Sequence, residues 1–382
     1  MTAQAQSRTG RSRRGAQHRR DPGGGPSAGA ECRLLKPIEE AEYARFVDRH
    51  PDALFHHRPE WRDLLVRSLG VAPRTLVARR AGRIVGALPL LELSTPVRGR
   101  RLLAAPLCRN LPVLADSGAT RAGLVSAAAA LGREQGCASV ELRCGEPFPT
   151  GSQFTERREF LNFTVDLTVG EEALWARCHP RSVRQAVRRA RRDGVGIEQA
   201  APGEQAAYRR AHQLALATRR RQGAPPLPRE FFEALADLSV QTRRVRLFIA
   251  RWRGRDLAAG IVLRHGRIAH LFDAVSTDER PLLRKRPNHA VLWAALCAAL
   301  ADGCTMFDLG PNHRLNQGLS AYKSYWAAEQ RAVPHHFLPL TDPRVYSAEI
   351  QNPTYRLARV ALRGLPRFLY ARLWSGLALE AY

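Results

Sequence analysis

Four arginines recur at helical spacing in the middle of the sequence. The spacing is three, four and three residues, and the members are Arg181, Arg184, Arg188 and Arg191. Residues spaced in this way lie on one face of a helix. Guanidinium groups bind phosphate oxygens in a bidentate manner, so this face suits the phosphates of a nucleotide or of a nucleic-acid backbone. The alternative is a solvated basic face that binds nothing.

A carboxylate closes an apolar segment nearer the C-terminus. Asp308 follows Met306-Phe307 and precedes Gly310-Pro311, which indicates a strand that ends in a turn. Carboxylates at strand ends commonly line the sites of α/β proteins. Asp308 is therefore a candidate proton acceptor or amine anchor. The alternative is a carboxylate that only caps its own loop.

The histidines and cysteines do not form a metal-binding pattern. His56-His57 and His335-His336 are adjacent pairs, and the seven cysteines include no C-x-x-C pair. We therefore predict no metal site, and we interpret the cysteines as reduced, mostly buried thiols. Cys178-His179 are neighbours in sequence, which is no evidence for a thiolate–imidazole couple.

The composition is strongly basic. The 382 residues include 60 Lys+Arg against 35 Asp+Glu, for a formal net charge of +25, and only Lys36, Lys285 and Lys323 are lysines. So strong a bias towards arginine indicates a coding preference. The electrostatic field of the positive charge still attracts polyanions and anionic membranes. The sequence lacks an apolar N-terminal run and any apolar stretch long enough to span a bilayer. These features predict a cytoplasmic protein, with attachment to the inner face of the membrane as an alternative.

Two short segments occur twice at nearly the same offset. Ala78–Arg83 recurs as Ala250–Arg255, and Gly136–Leu142 recurs as Gly303–Leu309. The first pair predicts a β-hairpin with a glycine turn, and the second predicts a strand after a helix that ends at glycine. Each half thus combines an antiparallel hairpin with a helix crossing between parallel strands. The sequence predicts an α/β (α+β) chain of two repeated units, each a mixed sheet flanked by helices. The G-x-G-x-x-G dinucleotide fingerprint is absent.

Several motifs resemble those of the FemAB/FemX-like peptidyltransferases and of GNAT-superfamily acyltransferases associated with exopolysaccharide systems. The resemblance covers roughly residues 31–340. It rests on the following segments: Phe163–Leu167, Leu174-Trp175, Arg181–Ala186, Arg191–Val195, Thr218–Arg220, Pro225–Phe232, Asp308–Gly310, Gly318–Lys323, and Phe55, Pro59 and Trp61.

The resemblance implies two tandem GNAT-like domains and transfer of an acyl group to an amine. The donor would be acyl-CoA or aminoacyl-tRNA, a polyanionic co-substrate, with no permanently bound cofactor. The implied catalytic residues are Lys323, Asp308 and Tyr322, and Lys323 would stabilise developing negative charge from the start of a helix. The implied substrate-binding residues are Arg219 and Trp61. The segment Arg284–His289 lacks the glycines of the family's pyrophosphate loop.

These observations predict four segments. They are a disordered basic tail (1–30), a first GNAT-like domain (31–165), a second that carries the motifs (166–340) and a basic amphipathic extension (341–382). Residues 354–379 either contact an anionic membrane, where a lipid-linked amine acceptor would be found, or pack on the core.

The predicted function is N-acyl or aminoacyl transfer to a cell-envelope or secondary-metabolite precursor. The alternatives are a non-catalytic tRNA- or RNA-binding protein and a membrane-surface scaffold for polysaccharide assembly.

Overall fold

The computed structural model describes residues 29–95, 99–104, 107–108, 110–146, 148, 152–341 and 353–370. Its strands are β1 (Glu31–Leu34), β2 (Ala72–Pro73), β3 (Leu76–Arg80), β4 (Arg83–Leu88), β5 (Leu90–Thr95), β6 (Gly99–Ala104), β7 (Leu114–Ala115), β8 (Ser139–Leu142), β9 (Thr155–Asp166), β10 (Gly196–Gln199), β11 (Val245–Trp252), β12 (Arg255–His265), β13 (Ile268–Ser276), β14 (Met306–Asp308), β15 (Asn312–His313) and β16 (Glu329–Pro339). Its α-helices are α1 (Glu40–Arg49), α2 (Pro59–Leu69), α3 (Gly118–Glu134), α4 (Glu171–Arg177), α5 (Gln185–Arg192), α6 (Gln205–Gln222), α7 (Arg229–Thr242), α8 (Arg280–Leu283), α9 (Pro287–Ala301), α10 (Gln317–Ser324), α11 (Pro353–Gly364) and α12 (Arg367–Tyr370).

The sequence repeat is also a structural repeat. The hairpins β3–β4 and β11–β12 turn through Ala81-Gly82 and Arg253-Gly254, and all four residues have positive φ, between 48° and 75°. Two consecutive positive φ values are those of a type I′ turn. Both hairpins also shift register directly after the equivalent alanine, Ala78 or Ala250. The predicted mixed α/β architecture of two repeated units is confirmed.

Pro89 divides the first half between two sheets. In the second half β12 is continuous, but the equivalent stretch of the first half breaks at Pro89 into β4 and β5. Proline has no N–H to donate across a sheet. β4 pairs with β3 and β7 in a four-stranded sheet that also holds β1, whereas β5 pairs with β6 in the larger sheet.

The larger sheet joins the two halves by exchanging strands. Its order is β10-β11-β12-β13-β14-β9-β16-β8-β6-β5-β2, with β15 paired to β9. β9 follows β8 in the chain but pairs with β14, and β16 follows β14 but pairs with β8. β9 and β16 also pair with each other along most of their length. Each half therefore contributes one strand to the sheet of the other. The domain boundary predicted between residues 165 and 166 stays a prediction.

Helices from both halves share one apolar cluster. Trp61 and Leu64 of α2 are buried with Phe231 and Leu235 of α7. A second cluster lies under α5 and α9, and a third lies under α3. Burying one side of each helix on the sheets stabilises this layered arrangement.

One predicted helix is interrupted. The arginine spacing predicted one helix face from Arg181 to Arg191, but α4 ends at Arg177 and a π-helical turn at Pro180–Arg184 precedes α5. Proline disfavours helical backbone at the residue before it, and His179 adopts φ −56°, ψ 124°. Positions 1–28 of the predicted tail lie outside the described residues, and so do 342–352 and 371–382 of the extension. No helix among the described residues is long and apolar enough to cross a bilayer.

Candidate functional site

The parallel strands β13 and β14 separate where β14 ends. Asp308, the last residue of β14, pairs with His270, whereas β13 continues to Ser276. Among the described residues, no strand pairs with that side of β13 beyond His270. An unpaired strand edge offers backbone N–H and C=O groups to an extended ligand.

Asp308 is held by several hydrogen-bonding groups at this opening. Its side chain is buried, its Oδ1 accepts from the Gly310 amide at 2.8 Å, and its Oδ2 lies 3.4 Å from Nδ1 of His270. The Asn162 side chain is a further hydrogen-bond partner. Burial acts to raise the pKa of Asp308, but His270, the Gly310 amide and Asn162 together outweigh it. The pKa therefore lies below its ordinary value, and Asp308 is a carboxylate at neutral pH.

His270 is the partner that sequence analysis missed. A carboxylate beside Nδ1 favours the tautomer that carries its proton there, which leaves Nε2 as a base. The available signal was a lone histidine in the apolar segment Ile268–Phe272, but only the strand register places it opposite Asp308. In the first half the equivalent pair is Leu103 and Glu141, so the pairing of histidine and carboxylate occurs at this register in the second half alone.

Lys323 reaches the same loop from α10. Its side chain is 8 % exposed, and Nζ donates a hydrogen bond to the Gly310 carbonyl at 2.6 Å. Burial lowers its pKa to about 8, with the charge of Asp308 acting in the opposite direction. We expected Lys323 at the start of a helix, but it lies in the last turn of α10. The structure therefore brings Lys323, Asp308 and His270 together around Gly310.

Tyr322 faces a different neighbourhood. Its ring packs edge-on against His289, in the first turn of α9, at a centroid distance of 5.2 Å, and against Trp326 at 6.2 Å. Burial raises its pKa above the ordinary value. Adjacent residues of a helix point about 100° apart, so Tyr322 turns towards α9 while Lys323 turns towards Gly310.

The four arginines of the predicted basic face lie along the π-helical turn and α5. Arg181, Arg188 and Arg191 are exposed, Arg184 is partly buried, and the Arg188 guanidinium lies 5.7 Å from the ring centroid of Trp175. Among the described residues none of the four forms an ion pair, whereas many arginines elsewhere pair with carboxylates. We call these four residues the arginine face.

A second cationic group adjoins the end of α5. The Lys285 ammonium lies 4.1 Å and the Arg253 guanidinium 4.7 Å from the ring centroid of Trp252, which adjoins Gly194. Lys285 belongs to the glycine-free segment that precedes α9, and there Arg286 takes the left-handed conformation at φ 61°. Exposed cations thus extend from α5 to the start of α9.

The two predicted substrate-binding residues lie apart from each other. Arg219 pairs with Asp273 at 2.6 Å, on the part of β13 beyond His270. Trp61 is only 1 % exposed and packs edge-on against Phe231 and Phe272. Arg219 therefore borders the open edge of β13, and Trp61 lies beneath it in the junction between the halves.

Neither thiol chemistry nor a metal cluster is found in the part of the chain that the structure describes. All seven cysteines are unpaired, and no three His, Cys, Asp or Glu side chains are grouped as metal ligands there. Burial raises the pKa of Cys108, which lies near Asp308, to about 12 and that of Cys178 to about 11. Both are therefore protonated thiols at neutral pH.

Comparison with known proteins identifies the domain in which these residues lie. The family model described as an acetyltransferase (GNAT) domain matches residues 178–324, which include His270, Asp308 and Lys323. No curated protein matches the sequence. FemX is similar in structure, with 15% identity over 86% of this chain and 100% of FemX, at a TM-score of 0.61.

Two further solved structures share the fold. A tandem GNAT protein from the clavulanic acid biosynthesis pathway has 16% identity over 82% of this chain and its own full length, at a TM-score of 0.50. The C-terminal domain of a protein designated a lysylphosphatidylglycerol synthetase, from Agrobacterium fabrum, has 14% identity over 85% of this chain and 95% of its own, at 0.53. Residues 178–324 thus match a GNAT acetyltransferase domain, which supports an acyltransferase, and the chain shares the fold of FemX and of a tandem GNAT protein.

Proposed function

We propose that the protein transfers an acyl or aminoacyl group from acyl-CoA or aminoacyl-tRNA to an amino group of a cell-envelope or secondary-metabolite precursor. The observation that carries the proposal is the pair formed by His270 and the buried Asp308 beside Lys323, at the open end of β14. Nε2 of His270 accepts the proton that the amine loses as its nitrogen attacks the acyl carbonyl. The Lys323 ammonium stabilises the oxyanion, and the proton held on His270 passes to the leaving thiolate or ribose oxygen as the tetrahedral intermediate collapses.

The arginine face supports a donor that carries phosphates. Acyl-CoA is the co-substrate that a GNAT domain implies. From Arg184 to Arg191 the face extends about 10 Å, at about 1.5 Å per residue of α-helix, and Arg181 extends it further into the π-helical turn. That length exceeds what one pyrophosphate requires and suits successive phosphates of a nucleic-acid strand. The two donors are therefore tested side by side.

The test measures donor consumption. Purified protein is incubated with acetyl-CoA, and separately with mixed aminoacyl-tRNA, in the presence of a small-molecule extract, and acylated products are identified by mass spectrometry. We expect one donor to give a new N-acylated amine that the His270→Gln variant does not form. If neither donor yields such a product at any pH from 6 to 9, the proposal is wrong.

The C-terminal helix supports a membrane-bound acceptor. Leu357 and Val360 of α11 are 71% and 64% exposed, and Leu369 of α12 is 45% exposed. Arg363 is exposed on the same helix, while Arg359 anchors α11 by donating to the Gln222 carbonyl. Exposed apolar side chains beside arginines suit an anionic membrane surface, where a lipid-linked amine would be found.

A non-catalytic RNA-binding protein is the second candidate, because the arginine face by itself also suits that role. A membrane-surface scaffold would need only α11 and α12. The residues around Gly310 distinguish these alternatives, since Lys323→Met would leave RNA or vesicle binding unchanged. Turnover that depends on Lys323 would exclude both.

A further inference from the structure

His56 is buried without a hydrogen-bond partner. Its side chain is 3% exposed, and neither Nδ1 nor Nε2 has a partner among the described residues. The indole Nε1 of Trp61, whose ring lies 5.0 Å from that of His56, is likewise buried and unpaired. Buried polar groups in folded proteins are nearly always hydrogen-bonded, and an unpaired one destabilises the fold.

The adjacent His57 shows what a structural histidine looks like in this place. Its Nδ1 accepts from the Leu54 amide at 2.9 Å, and its Nε2 lies 2.9 Å from the Pro112 carbonyl. Burial lowers the pKa of both histidines, so both rings are neutral at pH 7. His57 therefore stabilises the fold through hydrogen bonds of both ring nitrogens, whereas His56 contributes no hydrogen bond.

The position of His56 connects it to the candidate site. Its ring meets the His270 ring edge-on at 5.1 Å, and His270 in turn lies against Asp308. His56 and Trp61 come from the first half of the chain, and His270 comes from the second. The unpaired nitrogens thus lie at the junction, next to the base that we propose for the acceptor amine.

We infer that His56 and Trp61 form an acceptor subsite, which binds a hydroxyl group carried beside the amine that is acylated. This inference rests on the proposed function and specifies its acceptor as a hydroxyl-bearing amine. A hydroxyl oxygen accepts from the Trp61 N–H and donates its proton to an imidazole nitrogen of His56, so that each group gains a partner. An alkylammonium has no acceptor for the indole N–H. A carboxylate would place a second negative charge in the buried region near Asp308.

Binding is measured on the full chain without any donor. The indole N–H resonances of the six tryptophans are followed by NMR, and that of Trp61 is assigned with Trp61→Phe. Ethanolamine, ethylamine and glycine are the probes, since they present a hydroxyl, no second polar group and a carboxylate. We expect ethanolamine alone to shift the Trp61 resonance, and His56→Phe to reduce that shift at least tenfold. No shift, or an equal shift with ethylamine or glycine, would overturn the assignment.

A matched pair of variants separates this role from a structural one. His56→Phe removes two unpaired nitrogens, so we expect Tm to stay or to rise by about 2–4 °C. His57→Phe breaks two hydrogen bonds at the same turn, so we expect Tm to fall by several degrees. An equal loss of Tm in both variants would show that His56 is structural. Ethanolamine binding in a protein that acylates nothing would refute the proposed function and leave the subsite standing, whereas acyl transfer without such binding would refute the subsite alone.

Discussion

Lys323 and Asp308 hold Gly310 from opposite sides. The Lys323 ammonium donates to the Gly310 carbonyl at 2.6 Å, and the Gly310 amide donates to Asp308 at 2.8 Å. Gly310 has φ 71°, a conformation that glycine adopts without strain. The two opposite charges therefore fix the loop after β14 and also interact with each other. Experiments on either residue must separate loop geometry from charge.

Replacing Lys323 by Met tests its role in stabilising the transition state. The variant keeps the length and apolar bulk of the side chain but removes the cation. A positioned donor near an oxyanion contributes about 3 kcal/mol, so we expect kcat to fall roughly a hundredfold. Lys36→Met is the matched control, because Lys36 is exposed and far from Gly310 in sequence. Near-normal turnover by Lys323→Met would show that the role of Lys323 is purely structural.

The pH dependence of the rate gives an independent check on Lys323. Burial lowers its pKa to about 8, so the ammonium is lost as the pH rises through that value. We expect kcat in the wild-type protein to decline above pH 8. In Lys323→Arg the positive charge persists at high pH, so the decline of kcat above pH 8 should vanish. The absolute rate should stay reduced, because a planar guanidinium does not fit the place of an ammonium. An equal decline of kcat above pH 8 in the wild-type protein and in Lys323→Arg would contradict the role assigned to Lys323.

Asp308→Asn and His270→Gln test whether the two residues act as a unit. Asn keeps a side-chain oxygen for the Gly310 amide but cannot stabilise an imidazolium. We expect each single variant to lose about 10²–10⁴-fold in kcat, and the double variant to lose little more than either one. Additive losses, or an Asp308→Asn variant that loses stability but keeps its rate, would show that Asp308 only caps the loop.

Removing the arginine face tests donor binding. The triple substitution Arg181→Gln, Arg184→Gln and Arg188→Gln should weaken binding of the true donor and flatten the dependence of log Kd on log salt. A matched control removes the same charge from arginines that pair with carboxylates, namely Arg158, Arg229 and Arg255. Unchanged affinity of the first triple variant for both acyl-CoA and tRNA at low salt would refute the role.

Buried histidines predict acid instability. Burial lowers the pKa of His57, His265 and His289 to about 4, below their ordinary value of 6.5. Between those values the unfolded chain binds protons that the folded protein does not, so the free energy of unfolding falls as the pH drops from about 6.5 to 4. Each histidine contributes at most about 1.4 kcal/mol per pH unit. Urea denaturation at pH 7.5 and 4.5 measures the effect, and an unchanged midpoint would contradict it.

The sequence by itself determined the repeat, the class of fold and the motif residues. Hairpin turns and helix-ending glycines are local features, so Ala78–Arg83 and Ala250–Arg255 predicted equivalent hairpins correctly. The helix that ends at glycine and the strand that follows it, at Gly136–Leu142 and Gly303–Leu309, were likewise predicted correctly, because a helix-ending glycine is a local signal.

Only the tertiary structure decided which of those residues meet. The register between β13 and β14 places His270 opposite Asp308, and strand pairing between segments that are distant in sequence leaves no local pattern in the chain. The exchange of β9 and β16, and the placement of His56 against His270, depend on contacts between the halves. The structure also separated two neighbouring motif residues, because adjacent side chains of a helix point in different directions. Lys323 contacts Gly310, whereas Tyr322 packs against α9.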